Sequence, residues 1–379
     1  MAVLLSMVGT KASAYDAEIN GICYYLNDET LEATVAGGGY SGNVVIPETV
    51  TYNRKTYSVT SIGEYAFYEC SGLTSVTIGN SVTSIGERAF KGCSSLTLVS
   101  IPSSVMSIDD AVFSECSSLT SITMPNSVTY FGGGMFYQCS NLISVTIPNG
   151  AEELIGTFFG CSSLTSVTIP NSVTTIGYNA FWGCSSLTSI EIPNSVTNIG
   201  DGVFWDCSGL TSVIIGNSVT SIGESAFHGC TSLMSLIIPN SVTSIGEYAF
   251  SACSGLTSVT IGNSVTNIRD LAFRYCSSLK SITCLATTPP TCGDDVFYGL
   301  KKSTCKLIVP KASISLYKAA DQWKDFYNIV PTAINTPTVD NGDVTYQYYD
   351  LNGQQSAQPR TGMNIVRSSD GKTRKVVMK

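Results

Sequence analysis

The apolar positions of this chain recur at a fixed spacing. A cysteine returns every 23 residues from Cys70 to Cys276, with one shorter step of 22 residues between Cys139 and Cys161. Each cysteine follows a phenylalanine by three residues and precedes a leucine by three. The ten cysteines are Cys70, Cys93, Cys116, Cys139, Cys161, Cys184, Cys207, Cys230, Cys253 and Cys276. This period predicts a solenoid, because a unit so small buries its apolar face only by stacking on its neighbours.

Within one repeat, the apolar spacing predicts two short extended segments and a helical turn. Val167 and Ile169 lie two residues apart, which is the period of a half-buried strand. A Pro-Asn-Ser turn follows, and the apolar ends of 173–176 mark a second extended piece. The spacing of Phe181 and Cys184 then predicts one turn of α-helix or 3₁₀-helix, with both side chains pointing inward.

The repeat resembles that of a known family. Residues 169–181 read I-P-N-S-V-T-T-I-G-Y-N-A-F and residues 184–190 read C-S-S-L-T-S-I, close to the motifs of BspA-like leucine-rich repeats from the surfaces of host-associated bacteria. The resemblance covers 59–284, and segments similar to the family's caps occur at 40–47, 296–299, 307–310 and 317–323. It implies a β-rich leucine-rich repeat solenoid of ten 23-residue repeats, with capping regions and a small C-terminal β-module. It also implies adhesion to host or bacterial proteins rather than chemistry.

The chain is predicted to contain six segments. A leader rests on the apolar stretch 2–8 and the small-x-small cleavage site 12–14, although the expected basic residues before it are missing. Turn signals at Asn352-Gly353 and Asp370-Gly371 predict hairpins in the tail. The tail is interpreted as a sorting or anchoring module, or as an ordinary β-appendage. The segments are a signal peptide remnant 1–14, an N-terminal cap 15–58, the solenoid 59–284, a C-terminal cap 285–331, a linker 332–343 and the β-tail 344–379.

The charge distribution argues against nucleic-acid binding. The net charge is −8, and no Lys or Arg occurs between Lys91 and Arg269, a span that holds ten acidic residues. A surface that follows phosphates needs cationic side chains there. Residues 1–299 carry a net charge of −14 (8 basic, 22 acidic) and residues 300–379 carry +6 (12 basic, 6 acidic), which marks the C-terminal part as different. No apolar run reaches the length of a transmembrane helix.

The fourteen cysteines favour buried thiols over disulfides. One cysteine in each repeat places parallel side chains about 5 Å apart, and a bridge between neighbours requires them to turn out of the core. Zinc is disfavoured, because the chain has no Cys-x-x-Cys pair and one histidine. Cys292 and Cys305 are the one pair considered for a bridge, and Cys23 and Cys284 are left unassigned.

The chain offers few residues for catalysis. His228, the single histidine, occupies the position after the repeated Phe, where other repeats carry Tyr68, Lys91 or Ser114. A position so freely substituted is expected at the surface and outside a catalytic triad. The pairs Asp109-Asp110 and Glu152-Glu153 are adjacent in sequence and are expected to diverge, whereas acid–base catalysis needs convergent groups. The chain is therefore predicted to be no enzyme and to need no cofactor or metal.

The position after the repeated Phe holds the main candidate binding site. Five successive repeats carry a ring there, and stacked repeats would align them as a ledge suited to protein or sugar recognition. The alternative is that these rings shield the edge of the core. We call them the ring row: Tyr137, Phe159, Trp182, Trp205 and His228.

A second row is acidic and lies six residues before the cysteines. Acids at the start of a helical turn favour its free N–H groups, so the row is interpreted as structural. Calcium bridging between stacked carboxylates, for example at Glu224, Glu247 and Asp270, is the alternative. The row comprises Glu64, Glu87, Asp110, Asp201, Glu224, Glu247 and Asp270.

The first predicted strand offers a third surface. Its outward position is a Ser or Thr in most repeats, but is Glu191, Ile214 and Ile237 in three successive ones. Together with the ring row, these residues make repeats 4 to 8 the expected binding segment. The predicted function is that of a non-catalytic adhesin, at the cell surface or secreted, that binds host or bacterial surface proteins. A glycan-binding module on the ring row and an envelope spacer without a ligand are the alternatives.

Overall fold

The structure is a computed structural model that describes residues 15–332 in full and, beyond them, the backbone of four strands. Its contacts separate two units, 1–332 and 333–379. The predicted leader, the linker after Thr332 and the two turn signals of the tail lie outside the described residues. The tail strands form one antiparallel sheet in the order β29-β28-β30-β31. With strands numbered along the whole chain, they are β28 Tyr346–Tyr349, β29 Gln355–Ser356, β30 Gly362–Ser368 and β31 Thr373–Met378.

Six strands precede the repeats and start both sheets of the solenoid. They are β1 Ala17–Ile19, β2 Ile22–Asn27, β3 Glu32–Val35, β4 Gly42–Val45, β5 Thr49–Tyr52 and β6 Lys55–Ile62. β1, β2 and β3 form antiparallel hairpins, whereas β3 pairs with β6 in parallel. The buried Tyr40 hydroxyl donates to the carbonyl of Ala36 and accepts from the N–H of Cys23, at 2.6 and 3.1 Å. This N-terminal region therefore passes directly into the parallel winding.

Most repeats contribute one strand to each of two parallel sheets, which confirms the predicted solenoid. The first strands are β7 Leu73–Thr77, β9 Leu98–Ser100, β11 Ser121–Thr123, β13 Ser144–Thr146, β16 Ser189–Glu191, β18 Ser212–Ile214, β20 Ser235–Ile238, β22 Ser258–Ile261 and β24 Ser281–Cys284. The second strands are β8 Ser84–Ile85, β10 Ser107–Ile108, β12 Tyr130–Phe131, β14 Glu153–Leu154, β15 Thr175–Ile176, β17 Asn198–Ile199, β19 Ser221–Ile222, β21 Ser244–Ile245, β23 Asn267–Ile268 and β25 Thr291–Cys292. The strand predicted around Val167 and Ile169 is wrong as a ladder strand, although Ile169 is buried and Val167 half-buried.

The predicted helical turn before each cysteine is also wrong. The segment is a non-helical turn, because two of its residues adopt left-handed backbone conformations, such as Asn179 (φ 56°) and Gly183 (φ 73°). This geometry directs backbone N–H groups at the next repeat. Asn179, Phe181 and Gly183 donate to the carbonyls of Asp201, Val203 and Trp205 at 3.0, 2.8 and 2.8 Å. The turns thus form a third hydrogen-bonded ladder beside the two sheets.

The core is a continuous column of phenylalanine rings and thiols. From Phe67 to Phe297, consecutive rings stack with centroids 4.8 to 6.1 Å apart. From Cys93 to Cys276, each ladder thiol is buried and donates to the carbonyl of a Phe in the preceding repeat at 3.0 to 3.2 Å. The thiol therefore satisfies a carbonyl that the ladder leaves open.

The winding continues beyond the ten predicted repeats and ends under an aromatic cover. The elements there are β26 Lys306–Val309, a 3₁₀-helix Lys311–Ser313, the short helix α1 Ile314–Tyr317 and β27 Asn328–Pro331. Trp323 is fully buried against Phe297, and its Nε1 donates to the carbonyl of Pro290 at 2.8 Å. Among the described residues, no helix is long and apolar enough to cross a membrane.

Candidate binding surfaces

The structure brings all five ring-row residues together. Consecutive rings are 4.3 to 5.4 Å apart between centroids, and the pair Trp182–Trp205 is the most closely stacked, at 4.3 Å and an interplanar angle of 4°. The row lies on the turns, because its slot directly follows the buried Phe of each repeat. It forms a second aromatic stack parallel to the buried column.

The ring row is half-buried rather than fully exposed, which corrects the predicted ledge. Trp182 and Trp205 face each other, and Phe159 and His228 cover their outer faces. The row therefore presents ring edges more than ring faces. Edges suit packing against protein side chains, whereas sugar rings stack on exposed faces.

His228 ends the row in an incompletely satisfied environment. Its Nδ1 is buried without a hydrogen-bond partner. Burial lowers the pKa of His228 below its usual range, the carboxylate of Asp206 opposes this shift, and the guanidinium of Arg274 adds to it. Arg274 lies two repeats on in the same slot and stacks over Tyr275 and Tyr298, at 4.7 and 5.7 Å from the ring centroids.

The first-strand face carries an exposed apolar patch. Ile214 pairs in register with Glu191, and Ile237 pairs with Thr260. Ile214 is 58% exposed, Ile237 69% and the nearby Met234 58%. Ile214 and Ile237 stand where most repeats place a Ser or Thr, and two of those residues, Thr260 and Thr283, are half-buried. This patch lies on the strands, whereas the ring row lies on the turns.

The acidic row holds the next repeat in place. One carboxylate oxygen accepts a backbone N–H across the repeat interface: Asp110 from Gly133, Asp201 from Glu224 and Asp270 from Asp294, at 2.8 to 2.9 Å. The structural interpretation therefore has a different basis from the predicted helix start. Among residues 15–332, no three acidic, His or Cys side chains converge as a metal site, so nothing in the geometry favours the calcium alternative at Glu224, Glu247 and Asp270.

The cysteines outside the ladder are also free thiols in this structure. Cys292 and Cys305 are not bridged, and neither are Cys23 and Cys284. Cys284 accepts a hydrogen bond from the buried Tyr317 hydroxyl at 3.2 Å, so it belongs to the C-terminal core. Burial raises the pKa of both Cys292 and Cys305, to about 12 and about 11.

One cleft was missed by the sequence analysis. It has a volume of about 400 Å³ and lies between the second strands β12 and β14. Its lining joins Asp110 with Glu152 and Glu153, members of two acidic pairs that the sequence gave no reason to bring together. The signal that marks the place is the single step of 22 residues.

Comparisons with known proteins agree with the repeat architecture. A family model of the BspA type leucine rich repeat region, in six copies, matches residues 48–156, 154–257 and 199–320. Among solved structures, a leucine-rich repeat protein from Bacteroides ovatus is 29% identical, over 84% of this chain and 100% of that chain, with a TM-score of 0.45. A leucine rich cell surface protein from Faecalibacterium prausnitzii is 28% identical, over 73% and 95% of the two chains, with a TM-score of 0.39. No curated protein sequence matches the chain.

The matched segments run from residue 48 to residue 320, which is more than half of the chain. Within them the structure repeats the strand, turn, strand and turn that the sequence period predicts. The chain therefore belongs to the BspA-type leucine-rich repeat family.

Proposed function

We propose that this protein is a non-catalytic adhesin that binds another protein at the cell surface or outside the cell. The observation that carries the proposal is the exposed pair Ile214 and Ile237. A large aliphatic side chain gains nothing from exposure on a strand whose other copies use Ser or Thr. Contiguous exposed apolar surface is characteristic of protein-binding sites.

The ring row supports protein recognition over glycan recognition. Its rings use their faces on one another and leave edges at the surface. The partner is a host or bacterial surface protein under this proposal. Export by the segment 1–14 and attachment through the tail 344–379 are further parts of it.

The test replaces the two isoleucines by the residue that other repeats carry. Ile214→Thr with Ile237→Thr should leave the melting temperature unchanged, because both side chains are exposed. It should remove most of the protein captured from host extracellular extract or from bacterial surfaces. Thr77→Ala with Ser100→Ala, on the same face in earlier repeats, is the matched control and should retain capture.

A second variant tests the ring row in the same assay. Trp182→Ala with Trp205→Ala removes the most closely stacked pair and should weaken capture, with some loss of stability because the rings are half-buried. Undiminished capture by both double variants would reject the proposal. Binding of the wild type to a glycan array, lost in the tryptophan variant, would favour the glycan alternative.

A further inference from the structure

The cleft between β12 and β14 coincides with an interruption of the second-strand ladder. At every other step of this ladder, from 60 to 293, two backbone N–H groups of one repeat donate to two carbonyls of the repeat before it. At the next step, for example, Thr174 donates to Glu152 and Gly177 donates to Leu154, at 2.9 and 2.8 Å. Among the described residues, no such donor reaches the carbonyls of Thr129 and Phe131. We call this interruption the open step.

The missing residue explains the open step. Alignment of the turns places Ile155 opposite Gly133, because the Gly134 N–H donates to the Ile155 carbonyl as its counterparts do in other turns. The residue absent from this repeat is therefore the one between Leu154 and Ile155. In other repeats that residue, such as Gly132 or Gly177, supplies the second donor. Its deletion removes the N–H that would satisfy Phe131.

The lining of the cleft consists almost entirely of hydrogen-bond acceptors. The carboxylates of Asp110, Glu152 and Glu153 lie there together with the two unpaired carbonyls, and Tyr130 contributes a ring that is 54% exposed. The negative charge of Asp110 raises the pKa of Tyr130, as do burial and Asp109. The lining contains no Lys or Arg. A site of this kind complements a group that has several donors and a positive charge.

A second groove shows what is special about this one. It has a volume of about 360 Å³ and is lined by Asp201, Glu224 and Glu247. Its ladder is closed, because Gly223 and Gly246 donate to the carbonyls of Ile199 and Ile222 at 2.8 Å. Arg269 also lies in its lining. The second groove therefore has acids without free backbone acceptors, and a cation of its own.

We infer that the open step is a docking site for a basic side chain, arginine or lysine, of a protein partner. A guanidinium or ammonium group carries only donors, so it pairs with carboxylates and unpaired carbonyls at once. The Tyr130 ring offers a face for cation–π contact. The inference rests on the proposed function in that the ligand is a protein, and it adds the chemistry of one anchor residue.

The experiment measures binding of a labelled peptide to the full chain by fluorescence anisotropy. The probe is (Arg-Gly)₅, and its uncharged counterpart has citrulline in place of arginine. The arginine peptide should bind more tightly than the citrulline peptide. Glu152→Gln with Glu153→Gln should weaken binding by about tenfold, and Glu224→Gln with Glu247→Gln, with the same charge change at the second groove, by less than about twofold.

A second variant tests the ladder rather than the charge. Insertion of one glycine between Leu154 and Ile155 restores the 23-residue step and supplies the missing N–H. It should remove the preference for the arginine peptide while keeping the circular dichroism spectrum. Equal weakening by the two glutamine pairs, unaltered binding by the insertion variant, or no preference for arginine in the wild type would each overturn the inference.

This design separates the inference from the proposed function. The isoleucine variant Ile214→Thr with Ile237→Thr should bind the arginine peptide as the wild type does. If that variant loses protein capture while the glutamine pair at the open step changes neither capture nor peptide binding, the docking site is refuted and the adhesin proposal stands.

Discussion

At the scale of the residue, the ladder cysteines combine two properties that no other side chain of their size offers. The thiol is apolar enough for a fully buried column, and its S–H donates to a Phe carbonyl that the backbone leaves unpaired, as Cys184 does to Phe158 at 3.2 Å. An alanine fits the space but supplies no donor. The sequence period predicted the burial of these thiols, but it did not reveal their hydrogen bond.

Cys184→Ala should therefore lower the free energy of unfolding by about 1–3 kcal/mol, through a small cavity and an unsatisfied carbonyl. Urea unfolding at neutral pH measures this difference. Ser185→Ala, at the exposed neighbouring position, is the control and should change the free energy by less than about 0.5 kcal/mol. A cost for Cys184→Ala no larger than that of the control would contradict the structural role of the thiol.

The same variant reports on pH. Burial raises the pKa of the ladder thiols, to about 12 for Cys93, Cys139 and Cys253, and well above the usual value for Cys184. The unfolded chain loses these protons near about pH 8.5, so stability is full below that pH and falls as the pH rises further. The cost of Cys184→Ala should consequently be smaller at pH 10 than at pH 7.5.

His228 has the opposite sign. Its folded pKa is lowered, mainly by burial, so its contribution is present above the unfolded value of about 6.5 and is lost as the pH falls through the folded pKa. The wild type should lose more melting temperature between about pH 7.5 and pH 5 than His228→Ser, which adopts the residue found at Ser114 and Ser251. Tyr298→Ser, in the same slot but with no titration in this range, should behave as the wild type. Parallel losses in the wild type and His228→Ser would disprove the assignment.

At the scale of the element, the sequence predicted strands better than turns. Alternation of inward residues identifies a strand from local pattern alone, and it placed most first and second strands correctly. The turn before each cysteine was predicted to be helical, because Phe181 and Cys184 have helical spacing. Left-handed conformations at residues such as Glu115, Ala252 and Tyr275 follow instead from hydrogen bonds to the next repeat, which no single repeat contains.

The exceptions among the strands have a related cause. Residues 165–169 carry the same Thr-Ser-Val-Thr-Ile pattern as other first strands, yet they form no ladder strand. Their preceding neighbour is the repeat that contains the 22-residue step, and the bonds that remain on the two sides are long, at 3.2 and 3.4 Å for Thr165 and Thr188. A local pattern cannot show that a neighbour is displaced.

The candidate site was predictable to a similar degree. Counting from each cysteine was enough to align the ring row, because the solenoid keeps equivalent residues adjacent. Its half-burial was not predictable, since it depends on how the rings tilt against one another. The shortened repeat was visible as an irregular spacing, but its meaning depends on which backbone donor is absent.

At the scale of the whole solenoid unit, stability passes from repeat to repeat through nearest-neighbour contacts. The weakest such contact is expected between Phe131 and Thr175, where the second ladder has its open step and the first sheet lacks a strand. The unit is still joined there by the turn ladder, in which Phe136 donates to Thr157 at 2.8 Å, and by the stacked rings of Phe136 and Phe158. Opening of the native state should begin at this place rather than at the covered C-terminal end.

Amide hydrogen exchange measures this directly. The N–H groups of Glu152 and Ile155 have no acceptor, so they should exchange much faster than those of Thr174 and Gly177, which are bonded at the next step. Protection should rise on both sides of the open step. Insertion of glycine between Leu154 and Ile155 should raise protection there and increase the melting temperature, because it supplies a donor to the Phe131 carbonyl. Uniform protection through the middle repeats, with the lowest values toward residues 15 and 332, would show that the two ladders are not divided at this point.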